Sequence, residues 1–200
     1  MKNTIILIDG ENFFKKIDQI LYAEKVNKAK IDKTNIQIIT LLNSVLSKYK
    51  DISIKEVRFY AAKLSIFPET LKKSKLLIAS QRKLKSSLEK QNISFIISGK
   101  VRGYKTTGKD GKSSVIFKEK GVDVKIAVDM ITIACDKEAK NIVLCSSDSD
   151  LQPAVKEARK RGVNVIYLGF QVDPNIGLTI TTNKSLLFSN KDIISSLTIK

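Results

Sequence analysis

The sequence predicts an α/β fold, in which a central, mostly parallel sheet carries helices on both faces. Short apolar runs rich in β-branched residues alternate along the chain with longer segments whose apolar residues recur every three or four positions. The short runs are apolar at successive positions, which is typical of strands that are covered on both faces. Folds of this kind bind their ligands beyond the carboxyl ends of the strands.

The same patterns place the individual elements in order. Strands are predicted at 4–8, 52–62, 93–98, 141–145 and 163–168, and helices at 13–23, 34–46, 68–91, 122–134 and 151–158. The helix over 68–91 is expected to bury a stripe of leucines along its length. The helix over 122–134 is apolar on nearly every side, so we expect it to be largely buried.

We expect residues 1–200 to form a single domain with two less regular parts. Between 99 and 121, Gly108 and the pair Asp110-Gly111 mark turns, which predicts a basic hairpin or flap. Residues 177–200 are expected to form a short C-terminal extension with one strand and a weak last helix.

The composition favours an acidic partner and excludes several kinds of catalysis. The chain has 36 Lys and Arg, 20 Asp and Glu, and a formal net charge of +16, which points to nucleic acid, although an AT-rich genome also enriches lysine. The chain has no histidine, and this excludes Ser-His-Asp triads and histidine-based zinc sites.

The two cysteines form no C-x-x-C pair, so a reducing cytoplasm is expected. No apolar run approaches the ~20 residues of a membrane span, so we expect no membrane partner.

Carboxylates follow two of the predicted strands. Asp9 ends the first strand, Asp148 and Asp150 follow the strand at 141–145, and Asp123 opens a helix. Because the carboxyl ends of parallel strands meet at one edge of a sheet, we expect these side chains to lie together. Their mutual repulsion calls for a cation, and Mg²⁺ or Mn²⁺ prefers carboxylate and phosphate oxygens. The four aspartates are therefore the predicted metal ligands and catalytic residues of a nuclease.

Each aspartate also has a purely structural explanation. Asp148 and Asp150 suit the cap of a helix, Asp9 suits a turn with the following glycine, and Asp123 suits a helix N-terminus. Asp129 lies six residues after Asp123, about 240° around a helix, and so cannot face the same ion squarely. We predict that Asp129 forms an ion pair with the lysine four residues before it.

Three segments resemble, in order and spacing, the motif blocks of the NYN domain in its LabA-like branch, part of the PIN-like nuclease group. They are IILIDGENFF, EKGVDVKIAVDMI and IVLCSSDSDLQPAVKEARKRGVNVIYLG, and the resemblance runs from about residue 4 to residue 169. It implies a PIN-like three-layer sandwich and metal-dependent cleavage of RNA. The branch commonly reads Ser-Gly-Asp-Ser-Asp-Phe, where this chain has Ser147 in place of the glycine and Leu151 in place of the aromatic residue.

The resemblance also implies roles for individual residues. Asp9, Asp123 and Asp148 correspond to the first, second and third acidic ligands, and Asp150 lies beside the third. Asn12 is implied to orient Asp9 or the substrate, and Ser146 to lie next to Asp148. We treat Asn12 and Ser146 as substrate-binding candidates.

Basic residues near this edge of the sheet are candidates for phosphate contact. They follow strands or lie in the flap: Lys63, Lys100, Arg102, Lys105, Lys118 and Lys120. The lysines over 72–85 are expected instead to form a solvated helix face. The sequence thus predicts a Mg²⁺- or Mn²⁺-dependent ribonuclease, monomeric or homodimeric. The alternative is a catalytically inactive RNA-binding or regulatory module that uses the same basic cleft.

Overall fold

A sheet of mostly parallel strands forms the centre of the molecule. The computed structural model describes residues 2–107 and 113–199, and within these ranges seven strands form one sheet in the order β5-β4-β3-β1-β6-β7-β8. The strand bounds are β1 (Lys2–Asp9), β2 (Ile31–Asp32), β3 (Ile52–Lys63), β4 (Ser94–Thr107), β5 (Ser113–Lys120), β6 (Asn141–Cys145), β7 (Asn164–Phe170), β8 (Lys184–Phe188) and β9 (Thr198–Ile199). Neighbours in the large sheet are parallel except for β4 and β5. The prediction of a mostly parallel α/β fold is confirmed.

Helices cover both faces of the sheet and complete the three-layer sandwich. The helix bounds are α1 (Gly10–Ala23), α2 (Ile38–Leu46), α3 (Leu71–Glu89), α4 (Val122–Cys135), α5 (Gln152–Lys160), α6 (Ile176–Thr181) and α7 (Asn190–Ser196). One core lies between the sheet and helices α1, α2, α3 and α7, and a second lies between the sheet and helices α4, α5 and α6.

Strand β1 lies in the middle of the sheet and contributes to both cores. Because successive side chains of a strand point to opposite faces, Ile6 and Ile8 pack in the first core while Ile5 and Leu7 pack in the second. All four are fully buried. The residue that follows, Asp9, is therefore held at the centre of the sheet's carboxyl edge.

Helix α3 does not bury the leucine stripe expected of it. Only Leu84 and Leu88 of the stripe are buried, whereas Leu76 is 62% exposed and Leu77 is 41% exposed. The C-terminal half of the helix packs on the sheet, but the N-terminal half lies beside an open pocket that Leu77 helps to line. A regular apolar spacing cannot distinguish these two surroundings.

Helix α4 is also less buried than its composition indicates. Ile126, Met130 and Ile133 face the sheet, but Val124 is 60% exposed and Val128 is 52% exposed. The reason is that α4 belongs to an outer layer, so only one of its sides meets the sheet.

The predicted flap corresponds to the outer part of β4 and to β5, which pair as antiparallel strands from Lys100 opposite Lys120 outward. The turn expected around Gly108 and Asp110-Gly111 lies outside the described residues, as does the side chain of Lys105. After residue 176 the chain forms α6, β8 and α7, so the C-terminal part adds an edge strand to the sheet. In the described ranges, none of the helices combines the length and the apolar character needed to cross a bilayer.

Candidate functional site

Asp9 connects the end of strand β1 to the start of helix α1. Its side chain caps the helix, because Oδ1 accepts a hydrogen bond from the backbone N of Asn12 at 3.1 Å. Oδ2 accepts a bond from Nδ2 of Asn12 at 2.6 Å and another from Oγ of Ser146 at 3.0 Å. Burial raises the pKa of Asp9 above its ordinary value, although these hydrogen bonds act in the opposite direction.

Gly10 allows helix α1 to begin directly against strand β3. A Cβ atom at this position would lie 2.6 Å from the carbonyl oxygen of Tyr60 and 2.5 Å from Cε1 of Phe59. Both distances are shorter than any ordinary contact, so the close approach of helix and strand requires glycine. Gly10 is thus the first residue of a helix and not the turn residue considered from the sequence.

The loop after strand β6 brings Asp148 towards Asp9. Ser146 is buried, and its Oγ donates to Asp9 while it accepts from the backbone N of Asp148 at 3.1 Å. Asp148 in turn accepts a bond from the backbone N of Asp150 at 2.9 Å and caps the helical turn that follows. Asn175, in the loop before α6, donates from Nδ2 to the carbonyl oxygen of Ser147 at 2.9 Å. The loop is therefore held from both sides.

The three aspartates lie in one cleft of about 750 Å³, formed by the start of α1, strand β5 and the start of α4. We call it the acidic cleft. Five carboxylates and three lysines line it: Asp9, Glu11, Glu119, Asp123, Asp148, Lys15, Lys118 and Lys120. Three separate stretches of the chain, at 9–15, 116–124 and 148, thus contribute charged groups to one surface.

Two of these carboxylates, Glu11 and Glu119, were not singled out by the sequence analysis. Glu11 and Glu119 are neighbours, since both line the acidic cleft. Burial raises the pKa of Glu119 to about 8, and the charges of Glu11 and Asp9 add to the rise. Both residues lie within the quoted motif blocks, two positions after Asp9 and four before Asp123. Side chains two residues apart in a strand point to the same face, so Glu119 shares a face of β5 with Phe117. This period of two was the sequence signal that could have identified Glu119.

The donor groups of the cleft suit a hard divalent cation. In the part of the chain that the structure describes, no three Asp, Glu or Cys side chains are grouped closely enough to enclose an ion. Mg²⁺ does not require such a cage, because it keeps several waters and usually binds one or two carboxylates together with substrate phosphates. Carboxylates distributed along one cleft fit that mode of binding.

The structure separates the sequence-predicted residues into two groups. Asn12 and Lys120 line the acidic cleft together with Asp9, Asp123 and Asp148, and Ser146 lies buried behind Asp9. Asp150, Lys63 and Arg102 are exposed but do not line the cleft. The side chain of Lys105 is outside the described part of the structure.

Asp129 belongs to a support behind the cleft. Its Oδ1 accepts from Nζ of Lys125 at 2.6 Å, which confirms the ion pair predicted from their spacing. Its Oδ2 accepts from the hydroxyl of Tyr60 on β3 at 2.8 Å. Burial, together with this bond, raises the pKa of Tyr60. Asp129 therefore fastens helix α4 to the sheet and does not line the cleft.

Comparison with known proteins identifies a family and similar solved structures. The family model described as the NYN domain matches residues 3–185. The fold resembles the crystal structure of a protein of unknown function from Vibrio parahaemolyticus, with a TM-score of 0.55, 18% sequence identity, and coverage of 92% of this chain and 91% of that one. No curated protein is significantly similar in sequence. The assignment to the LabA-like branch stays a prediction.

Proposed function

Because the chain belongs to the NYN domain family, a family of PIN-like nucleases, we propose that it is a metal-dependent ribonuclease that hydrolyses phosphodiester bonds of RNA. The observation that carries the proposal is the acidic cleft. Asp9, Asp123 and Asp148, which lie far apart in sequence, line it together with Lys15, Lys118 and Lys120. Helix capping explains the positions of Asp9 and Asp148, but it does not explain Asp123 or the lysines that line the same cleft.

Each set of side chains has a distinct role in this proposal. Asp123 and Asp148 would hold Mg²⁺ or Mn²⁺ with Asp9, whose orientation Asn12 and Ser146 fix by hydrogen bonds. When bound, the ion would lower the pKa of a water molecule and offset the charge of the phosphate.

The lysines around the acidic cleft would bind the phosphates of the substrate. Lys118 and Lys120 extend from strand β5 for this contact, whereas Lys15 on helix α1 pairs with Glu11. Lysine binds phosphate as a point charge, so these contacts place the backbone of the strand without reading its sequence. Lys63 and Arg102 are exposed outside the cleft, where they are proposed to contact more distant phosphates.

Asp150 is proposed as an accessory acidic group. Its backbone N holds the carboxylate of Asp148, while its own side chain is exposed at the side of the cleft. We therefore expect substitution of Asp150 to reduce activity less than substitution of Asp148.

The substitution Asp148→Asn tests the proposal, because asparagine keeps the acceptor oxygen that caps the following turn but removes the charge. Cleavage of a labelled single-stranded RNA would be measured while Mg²⁺ or Mn²⁺ is titrated. We expect Asp148→Asn to reduce metal-dependent cleavage by about 100-fold or more. Substitution of a residue that only supports a metal ligand already costs about 10-fold to 100-fold.

Asp136→Asn is the matched control, since this exposed residue follows the far end of α4. It should cleave like the wild type. Equal cleavage by wild type and Asp148→Asn would refute the assignment of the site. Salt-sensitive RNA binding without any metal-dependent product would favour the alternative, a binding module that lacks catalysis.

A further inference from the structure

A second pocket opens beside the acidic cleft, between helices α1 and α3 and strands β3 and β4. Its volume is about 440 Å³, within the ~300–1,000 Å³ range of small-ligand sites. Its lining is mostly apolar and includes Phe14, Phe59 and Phe95. We call it the aromatic pocket, and it can hold a flat, uncharged group away from water.

The three rings form a continuous aromatic surface. Phe59 and Phe95 are stacked, with ring centroids 5.7 Å apart and planes inclined by 16°, and the Phe14 ring lies 6.0 Å from the Phe59 ring at a steep angle. Phe59 is buried, whereas Phe14 and Phe95 are half-buried. Nucleobases stack on aromatic side chains of this kind because every base has a π-face.

The aromatic pocket adjoins the acidic cleft. Glu11, Lys15 and Glu119 line both of them. A nucleic acid strand with one phosphate in the cleft would therefore have a neighbouring base beside the aromatic pocket.

The charges at the pocket favour an uncharged occupant over a phosphate. Lys15 pairs with Glu11 at 2.5 Å, and Lys33 pairs with Asp18 at 2.5 Å. Both lysines are thus engaged, and Glu119 adds a further carboxyl group. Carboxyl oxygens accept hydrogen bonds from the amino groups of a base.

We propose that the aromatic pocket receives an unpaired nucleobase of the RNA whose phosphate lies in the acidic cleft. This inference rests on the proposed function, since the strand has to lie in the cleft. A base within a duplex is paired and stacked, and it must be unstacked before it can enter a pocket. The pocket would therefore disfavour double-stranded RNA.

A pair of substitutions on helix α3 tests the proposal. Ser80 is exposed and lines the pocket, so Ser80→Phe places a ring at its mouth without disturbing the core. Ser86→Phe is the control, because Ser86 is equally exposed on the same helix and does not line the pocket. The probes are a labelled single-stranded RNA with all four bases and an abasic strand of equal length and charge. Binding is measured by fluorescence anisotropy without divalent ions, so that no cleavage occurs.

We expect the wild type to bind the base-containing strand about tenfold more tightly than the abasic strand, as one stacked base provides. Ser80→Phe should remove most of this preference, Ser86→Phe should keep it, and an RNA duplex should compete poorly. Equal affinity of the wild type for the two strands would overturn the proposal, and so would an unchanged preference in Ser80→Phe. Either result would mean that the pocket accepts some other apolar group, such as a protein side chain.

The failure of this inference is distinguishable from failure of the proposed function. One outcome is that the wild type prefers base-containing RNA and Ser80→Phe loses that preference, while no RNA is cleaved with Mg²⁺ or Mn²⁺. This result would support the base-binding pocket and refute the ribonuclease proposal. If RNA is cleaved in a manner that depends on Asp148 while Ser80→Phe keeps the preference, the pocket proposal fails and the ribonuclease stands.

Discussion

At the residue scale, Asp9 has more than one role in the structure. The carboxylate of Asp9 caps helix α1, accepts from Ser146 of the neighbouring strand's loop, and lines the acidic cleft. Gly10 makes this possible, because any larger residue would push α1 away from the carbonyl oxygen of Tyr60. The capping role of Asp9 is therefore compatible with its proposed role in the cleft.

The substitution Gly10→Ala should destabilise the protein. The added methyl group has no space between the helix and strand β3, so we expect a loss of about 1–3 kcal/mol in the free energy of unfolding, as for other overpacked sites. Urea unfolding measures this loss. Ser86→Ala, at an exposed position of α3, should stay within about 0.5 kcal/mol of the wild type. A Gly10→Ala protein as stable as the wild type would show that α1 can move away from the strand at little cost.

At the element scale, helix α1 and strand β5 face each other through two carboxyl groups. Glu11 lies in the first turn of α1, and Glu119 lies near the end of β5. Burial raises the pKa of Glu119, and the neighbouring charge of Glu11 raises it further because two ionised carboxylates repel each other. The contact between the two elements therefore depends on pH in the absence of a cation.

The raised pKa of Glu119 determines whether the stability of the protein rises or falls with pH. Because its folded-state pKa of about 8 lies above the ordinary 4.5, the native state binds the proton more tightly than the unfolded state does. Its contribution to stability is then fully present below about pH 4.5 and is lost as the pH rises towards 8. Glu119→Gln keeps the neutral form at every pH, so this variant should gain stability relative to the wild type across that window.

Urea unfolding at a series of pH values, with a chelator present, would measure the difference. Glu89→Gln, at an exposed position of α3, is the control and should follow the wild-type curve. Wild type and Glu119→Gln curves that stay parallel from pH 4.5 to 8 would contradict the raised pKa.

At the scale of the whole molecule, the protein is strongly basic, but carboxylates are concentrated in the acidic cleft. The net charge of +16 attracts polyanions over a distance of several ångströms, whereas the acidic cleft alone would repel them. Lys118 and Lys120 line the cleft and are exposed, so they are placed to contact the backbone of a bound strand. The lysines of α3, such as Lys72, lie on an exposed helix face outside the cleft.

The salt dependence of RNA binding separates these two groups of lysines. Replacing Lys118 and Lys120 by Gln should weaken binding to single-stranded RNA and lower the slope of log K against log salt by about 0.7 for each lost phosphate contact. Lys72→Gln should leave both the affinity at moderate salt and the slope close to those of the wild type. Equal effects at all three positions would mean that binding depends on net charge and not on the cleft.

Much of this architecture could be predicted from sequence, and the remainder depends on contacts between distant residues. Strands β1 and β6 were predictable because a continuous apolar run of that length suits a strand buried on both faces. The exposure of Leu76 and Leu77 was not predictable, because an apolar helical stripe has the same spacing whether it meets a core or borders a pocket.

The candidate site was predictable to a similar degree. Asp9 and Asp148 follow strands whose parallel arrangement brings their ends to one edge, so their approach follows from topology. The contact between Glu11 and Glu119 depends on how far β5 reaches towards α1, and no local pattern specifies that. The aromatic pocket likewise arises only when β3, β4 and two helices come together.

The hydrogen bonds of Asp9 have a consequence for comparing proteins built on this plan. Since its two oxygens hold Asn12 and Ser146, a relative that had lost the ability to cut RNA would still gain rigidity by retaining this aspartate. Retention of an acid at this position is accordingly poor proof of enzymatic competence. Asp123, which lies in the first turn of α4 and lines the cleft, is the more discriminating position to inspect when judging which relatives remain active.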